Sequence, residues 1–403
     1  MNYSMLKKQI ICLMRVQLLA ALSLFVIPVS RAQQKAENKI MLPDIPGYRT
    51  LKCDFHMHTV FSDGHVWPSF RVNEALRDGL DVISLTEHID YEGFPDEVKR
   101  NYNKSFEIAA EAAKGKDLLV IRGAEISPRV SPYHHNALFL KDANVFPTEY
   151  MKDTKKTFVM KDQISKQQLL APFLEAQKQG AFVFYNHPGY AWWDKKDTAI
   201  FTGFHKDLLD RGILKGVEVV NSGVYNIIGH KIAMQYDLTM FCNTDEHYDS
   251  FARYYKTHRP LTLVLAKEKT EASVKEALLE KRTVLYFDDY LVARKDLAEA
   301  FFRASLDIST ERNVRKGEHI LLVKICNKSS IPYRVKLSAD YNVEQLPLGQ
   351  TTLTPNDTTT ITLKAMWKYP EKTPLRITVQ NILVSPDEAL NIEYQIYTEE
   401  KRK

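Results

Sequence analysis

Five short segments of the chain combine histidines and carboxylates at spacings that suit metal chemistry. They are Asp54-Phe55-His56-Met57-His58, Thr86-Glu87-His88, Arg122-Gly123-Ala124-Glu125, Tyr185-Asn186-His187 and Asn243-Thr244-Asp245-Glu246-His247. A mixture of imidazole and carboxylate suits zinc, manganese or iron rather than calcium or a thiolate site. In an extended strand, residues two apart face the same side, so His56 and His58, or Asp245 and His247, can reach one ion. With 12 histidines in 403 residues, a lone His-x-His pair arises by chance roughly 0.4 times, so no pair is diagnostic by itself. Five such segments brought together without a metal would crowd many costly polar groups into one cavity.

Each of these segments closes a short apolar run, and the runs alternate with stretches of helical length. The runs are Leu51 to Phe55, Asp81 to Leu85, Leu118 to Ile121, Ala181 to Tyr185, Gly216 to Val220, Leu238 to Cys242, Leu261 to Ala266 and Thr283 to Phe287. Ser69 to Asp78, Asp96 to Lys114, Lys166 to Gln179 and Thr270 to Lys281 have helical length and pattern. Alternating β and α at this spacing implies a parallel sheet with crossover helices, and seven or eight units imply a closed barrel. The carboxyl ends of parallel barrel strands converge on one mouth, where such folds place their active sites. Asp63 and His134 fall in loops just beyond the strands.

Strand-like runs separated by turns follow from about residue 303, and about a hundred residues of this kind read as a β-sandwich of immunoglobulin-like size. The expected organisation is a leader over 1–32, a lead-in over 33–49, a catalytic barrel over 50–302 and a sandwich over 303–403. The leader is read from Lys7, Lys8 and Arg15 preceding the apolar run Leu18 to Val29, then Ser30-Arg31-Ala32. That is a secretory signal, since twelve apolar residues reach only about 18 Å as a helix, short of roughly 30 Å of hydrocarbon. The expected location is therefore the periplasm or the extracellular space, with no membrane span after cleavage. The formal charge of +5 loses four units with the leader, so a stable nucleic-acid complex is not expected. Cys53, Cys242 and Cys326, widely spaced, give neither a disulfide framework nor a zinc-finger pattern; one Cys53–Cys242 bridge remains open.

The ordered set of motifs resembles the polymerase and histidinol phosphatase (PHP) family of metal-dependent phosphoesterases. Asp54-Phe55-His56-Met57-His58-Thr59 with Ser62-Asp63-Gly64, then Leu85-Thr86-Glu87-His88, look like its opening. Gly123-Ala124-Glu125-Ile126, His134-His135-Asn136-Ala137-Leu138, Asn186-His187-Pro188 and Asp245-Glu246-His247 match its later motifs, covering about residues 50 to 290. The resemblance implies a distorted, TIM-barrel-like (β/α)7 barrel, an α/β fold, holding two or three divalent ions, here followed by the all-β immunoglobulin-like sandwich. It assigns His56, His58, Glu125 and Asp245 to one ion, Glu125 with His134 and His187 to a second, and Asp63, His88 and His247 to a third. His65 stands as the alternative to Asp63, and His135 to His134. Glu87 is expected beside the metals rather than on them. His205, His230, His258 and His319 lie outside the pattern.

The implied reaction is hydrolysis of a phosphate monoester or diester by metal-bound hydroxide, with no covalent enzyme intermediate. Glu125, Asp245 and His247 are the expected catalytic groups, the last two as proton shuttles to the leaving alcohol. Arg122, Arg253 and Arg259 are candidate phosphate clamps because guanidinium matches phosphate oxygens bidentately, with a surface ion pair as the other reading of each. Asn186 and Asn221 are candidates for orienting water or substrate, or for capping. Tyr190, Trp192, Trp193 and Tyr225 line a pocket or pack a loop. A small phosphorylated substrate, with nucleotides among the candidates, is the expected partner; oligomeric state is open. Two other functions compete: a metal-dependent hydrolase of amides or lactones, and a non-catalytic binding module stabilised by its metals.

Overall fold

Apolar runs and amphipathic stretches become strands and helices in the order β1 (Arg49–Asp54), α1 (Pro68–Arg77), β2 (Val82–Leu85), α2 (Tyr102–Ala113), β3 (Leu119–Ile126), β4 (His135–Leu138), α3 (Lys166–Lys178), β5 (Phe182–Tyr185), α4 (Gly203–Asp210), β6 (Leu214–Asn221), β7 (Val224–Tyr225), α5 (Ile227–Gln235), β8 (Thr239–Asn243), α6 (Ser250–Tyr254), β9 (Leu261–Ala266), α7 (Glu271–Leu279), β10 (Thr283–Phe287), β11 (Tyr290–Ala293) and α8 (Lys295–Ser305). This computed structural model describes residues 40–99, 101–152, 160–189, 200–344 and 346–398. The expected leader and Tyr190, Trp192 and Trp193 lie outside the described residues. Helix starts follow local chemistry: Ser165 and Gln168 form a capping box on α3, and the Asn226 and Thr270 side chains cap α5 and α7. Among the described residues, no helix is long and apolar enough to cross a membrane.

Strands β1, β2 and β3 pair in parallel, as do β5, β6 and β8. The sheet is not parallel throughout, in contrast to the simple alternation expected. β4 runs antiparallel between β3 and β5, because the chain turns back through a loop instead of a crossover helix. β9 is antiparallel to β1, and β10 to β9.

Alternate positions of seven strands converge on one apolar cluster that includes Leu51, Cys53, Val82, Ile121, Leu138, Phe182, Phe184, Phe241 and Val264. Gly216 of β6 belongs to this layer, where a Cβ would lie 2.6 Å from the Phe241 ring, so only glycine leaves that ring its place. The same period of two carries the chain from this floor to polar residues: Ile121 leads to Glu125, Phe184 to Asn186, and Phe241 through Asn243 to Asp245. Cys53 and Cys242 are both free and buried; the open disulfide is not formed.

The sandwich comprises β12 (Leu306–Arg315), β13 (Glu318–Asn327), β14 (Tyr333–Ala339), β15 (Asn342–Glu344), β16 (Gln350–Leu353), β17 (Asp357–Met366), β18 (Lys372–Ser385) and β19 (Glu388–Tyr397). One sheet has the order β12-β13-β17-β15, and the other contains β16, β14, β18 and β19. The second sheet continues into the barrel, because β18 also pairs in parallel with β11 through Leu291–Ile382 and Val292–Leu383. Ser305 Oγ to Tyr333 Oη at 2.7 Å and an Arg334–Asp289 ion pair reinforce the junction. The two parts therefore share a sheet, which turn spacing alone did not indicate.

Candidate metal centre

The strand ends are tied together beyond their regular pairing. The His58 N–H donates to Glu246 O at 3.0 Å, linking the tip of β1 to that of β8. The Glu125 N–H donates to Glu87 O at 2.8 Å, linking β3 to β2. Gly64 lets the loop holding Asp63 press against His58, since a Cβ there would meet the His58 carbonyl at 2.5 Å. His187 and Asp245 both hold positive φ, 28° and 53°, the kind of backbone strain that clusters at functional sites.

All nine residues expected as metal ligands lie in this one cluster. Asp245 Oδ1 is 3.2 Å from His56 Nε2 and 3.1 Å from His58 Nε2. Glu125 stands centrally, its oxygens 3.5 Å from both of those nitrogens, 2.9 Å from His88 Nδ1 and 3.0 Å from His134 Nδ1. Asp63 lies 3.2 Å from His247 Nε2 and 3.4 Å from His88 Nε2. Four sets offer ligand atoms within mutual reach: His58-Asp63-His88-His247, His56-His58-Glu125, His56-His187-Asp245 and His88-Glu125-His134. His134 and His187 fall into different sets, and His187 Nε2 stands 3.9 Å from both Glu125 and Asp245, so it remains in reach of the carboxylate it is expected to share with His134. Asp63 fills the place for which His65 was the alternative. His135 turns to the outer layer and packs on Tyr185, as its neighbouring position on β4 requires.

Burial opposes charge on Asp63, Glu125 and Asp245, yet the surrounding imidazoles hold all three well below the usual carboxylate range. Burial also opposes protonation of His56, but Asp245, Glu218 and Glu125 outweigh it and raise its affinity for a proton. Carboxylates do the same for His88 and His247. Burial prevails at His58 and His187, with repulsion from His247 and His88 adding at His58, so both stay neutral more readily than a free imidazole. Among the described residues, buried His56 Nε2, His58 Nε2 and Glu125 Oε2 find no well-aligned hydrogen-bond partner. Three such atoms aimed into one ionised cluster fit divalent cations, which would satisfy them all.

Three of the expected substrate contacts are spent on the protein itself, and a fourth is largely so. Arg259 is 3% exposed and is held by Asp54 at 2.6 Å, Asp78 at 3.2 Å and Glu74 at 3.4 Å, so it is an internal counter-ion and not a phosphate clamp. Arg122 is one residue out of phase with Ile121 and Glu125, so it points outward, bonding Lys141 O and covering the Phe106 ring at 4.4 Å. Asn186 donates to Glu125 Oε1 at 2.7 Å, and Asn221 to Glu218 Oε2 at 2.9 Å and Asp245 Oδ2 at 3.5 Å. Both amides position carboxylates. Arg253, at the end of α6, remains exposed and is attracted to Glu246 and Asp245.

Sequence reasoning missed the group beneath the centre. Glu218 accepts from His56 Nδ1 at 2.8 Å, from the His187 N–H at 2.8 Å and from the Asn243 and Asn221 amides at 2.9 Å each. Its signal was a lone charged residue inside the apolar run Gly216 to Val220. Ser127 is the corresponding partner of His88, at 2.8 Å from Nδ1, and is itself bonded to Asp90. Glu87 accepts from Thr59, Ser62 and Ser105 at 2.6 to 2.7 Å and so braces the Asp63 loop, in the supporting place expected of it. Arg129, also overlooked, is exposed; partial desolvation lowers its pKa, and Asp90 and Asp63 attract its charge.

Residues 54–285 match the PHP domain and residues 306–395 an Ig-like domain. The first match spans more than half of the chain, and the chain belongs to the PHP family. It is similar to a two-domain protein containing a predicted PHP-like metal-dependent phosphoesterase from Bacteroides vulgatus, at 35% identity and a TM-score of 0.76, over 89% of this chain and 98% of the other. An uncharacterized protein from Methanocaldococcus jannaschii is 33% identical over 79 residues, which are 19% of this chain. The match spans 34% of that relative's length. The expected class, a TIM-barrel-like PHP barrel followed by an Ig-like β domain, is therefore the one found.

Proposed function

We propose that the protein is an exported metal-dependent phosphoesterase that hydrolyses a phosphate monoester or diester of a small molecule. The supporting observation is the cluster itself: three carboxylates held ionised among six histidines, with buried ring nitrogens that no group among the described residues satisfies. In this reading His56, His58, Asp63, His88, Glu125, His134, His187, Asp245 and His247 hold two or three ions of zinc, manganese or iron. Such ions polarise phosphoryl oxygens and lower the pKa of bound water. Glu125, within 4 Å of five histidines, joins two of the four ligand sets. Asp245 and His247 move the proton to the leaving alcohol. Arg253 and Arg129 extend a positive rim toward the anionic substrate.

Water is taken as the attacking group. Ser127 is a hydroxyl paired with a histidine, but it is 1% exposed and its hydrogen is committed to Asp90, so it orients His88. Export is proposed from the leader-like residues 1–32, with the periplasm or extracellular space as the location. A panel of phosphate esters, amides and lactones offered to the metal-loaded protein tests the proposal. Turnover of phosphate esters that Asp245→Ala abolishes is expected. Cleavage of amides or lactones alone would favour the other hydrolase reading.

A further inference from the structure

Two aromatic rings at the edge of the metal centre have no part in the chemistry above. His65 lies two residues beyond Asp63, and its N–H donates to His247 O at 2.7 Å; Tyr248 directly follows His247. Their rings are parallel within 8°, with centroids 4.4 Å apart. Phe94 meets the His65 ring edge-on at 5.6 Å and so backs it, and the Tyr248 backbone N–H donates to Glu246 Oε1 at 3.1 Å, which holds the main chain that carries the Tyr248 ring. Tyr248 is nevertheless 56% exposed. Since His65 covers one of its faces, the exposed part comprises the opposite face and the ring edge.

We propose that the His65–Tyr248 pair is a ledge on which a planar aromatic group of the substrate stacks while its phosphate engages the metal centre. The inference rests on the phosphoesterase reading and names the class of leaving group that it takes: an aryl or nucleobase-bearing alcohol. A pre-ordered ring with an open face presents π surface without further ordering cost, and offset or parallel stacking is the geometry such a surface accepts. Arg253, four residues after Asp249, adds a cation on the same segment for the substrate's negative charge. The pair contributes little to the fold, because more than half of Tyr248 already faces water. Stacking of a base or similar ring on one aromatic side chain changes affinity by about 5- to 150-fold.

The test compares phenylphosphonate with cyclohexylphosphonate, which share the anion and ring size, differ in planarity and lack an ester bond to hydrolyse. Calorimetric titration of the metal-loaded full chain should show at least about fivefold tighter binding of the phenyl compound. Tyr248→Ala should bring that ratio to near one, and Tyr248→Phe should keep it. Equal binding of both compounds by the unaltered protein, binding of neither, or a preference that survives Tyr248→Ala would overturn the proposal. A second pair, the non-hydrolysable methylenephosphonate analogues of adenosine 5′-monophosphate and ribose 5-phosphate, separates the two sources: a ratio above about fivefold assigns a nucleobase, and a ratio of one beside a retained phenyl preference assigns a simple aryl group. Because the phosphonates report binding without turnover, a protein that releases no alcohol from any phosphate mono- or diester would sink the phosphoesterase reading while leaving the ledge to be judged on its own ratio.

Discussion

His56 Nδ1 lies 2.8 Å from Glu218 Oε1, and that contact decides which way the imidazole can work. With Nδ1–H donated to a carboxylate, Nε2 is left as the lone-pair nitrogen facing Glu125 and Asp245. Glu218 also receives the His187 N–H, so one buried carboxylate sets two of the strand ends. Glu218→Gln should retain the fold and weaken metal binding by about 10- to 100-fold, read by titration against a competing chelator. Unchanged affinity would remove Glu218 from the account.

Arg259 and Arg253 should behave as opposites. Removing the Arg259 guanidinium leaves Asp54 buried without its counter-ion, while Glu74 keeps Arg71 at 3.0 Å; this costs about 3–5 kcal/mol and should lower the melting temperature sharply. Arg253→Ala should leave stability within about 0.5 kcal/mol, because the side chain is exposed, and raise KM for a phosphate ester. Thermal melts and steady-state kinetics on the two variants check this pair.

Acid should act on the fold through His205. Burial lowers its pKa to about 4. The folded state therefore disfavours the proton that an unfolded histidine, with a pKa near 6.5, would take. Stability from this group is complete above about pH 6.5 and is lost as pH falls toward 4, by an amount on the order of 3 kcal/mol. His205→Gln should flatten this part of the stability curve, followed by urea melts from pH 7 to pH 4.5.

Metal loading has the opposite proton balance. His56, His88 and His247 hold protons more tightly than free imidazole in the metal-free protein, so they stabilise that state at low pH and lose this contribution as pH rises through their raised values. Divalent ions must displace those protons. Apparent metal affinity should rise with pH between 5.5 and 8, with proton uptake on chelation detectable by calorimetry in buffers of different ionisation enthalpy.

Much of this was legible in the sequence because strand periodicity and ligand spacing are local properties. His56-x-His58 and Asp245-x-His247 announce their shared faces, and the apolar runs beneath them mark the strands. What escaped depends on contacts distant in sequence. Arg259 looked available until Asp54, 205 residues away, was found against it. Asn186 and Asn221 lay at strand ends as expected, but only the folded barrel shows their amides aimed at Glu125 and Glu218. The His135–Leu138 strand is four residues long and carries polar side chains, too short a pattern for periodicity to resolve, although it reverses the sheet beside the site. The shared sheet between barrel and sandwich likewise rests on the long-range pairing of Leu291 with Ile382.

Release of the alcohol from phosphate mono- and diesters by the full-length chain, measured before chelation, after chelation and after stepwise return of zinc or manganese, tests the central claim most directly. Activity that disappears with the metal and returns with two or three equivalents per chain, and that His56→Ala or Asp245→Ala abolishes, is the result predicted. Full alcohol release from the chelated protein, or none at any metal loading across mono- and diesters, would contradict it.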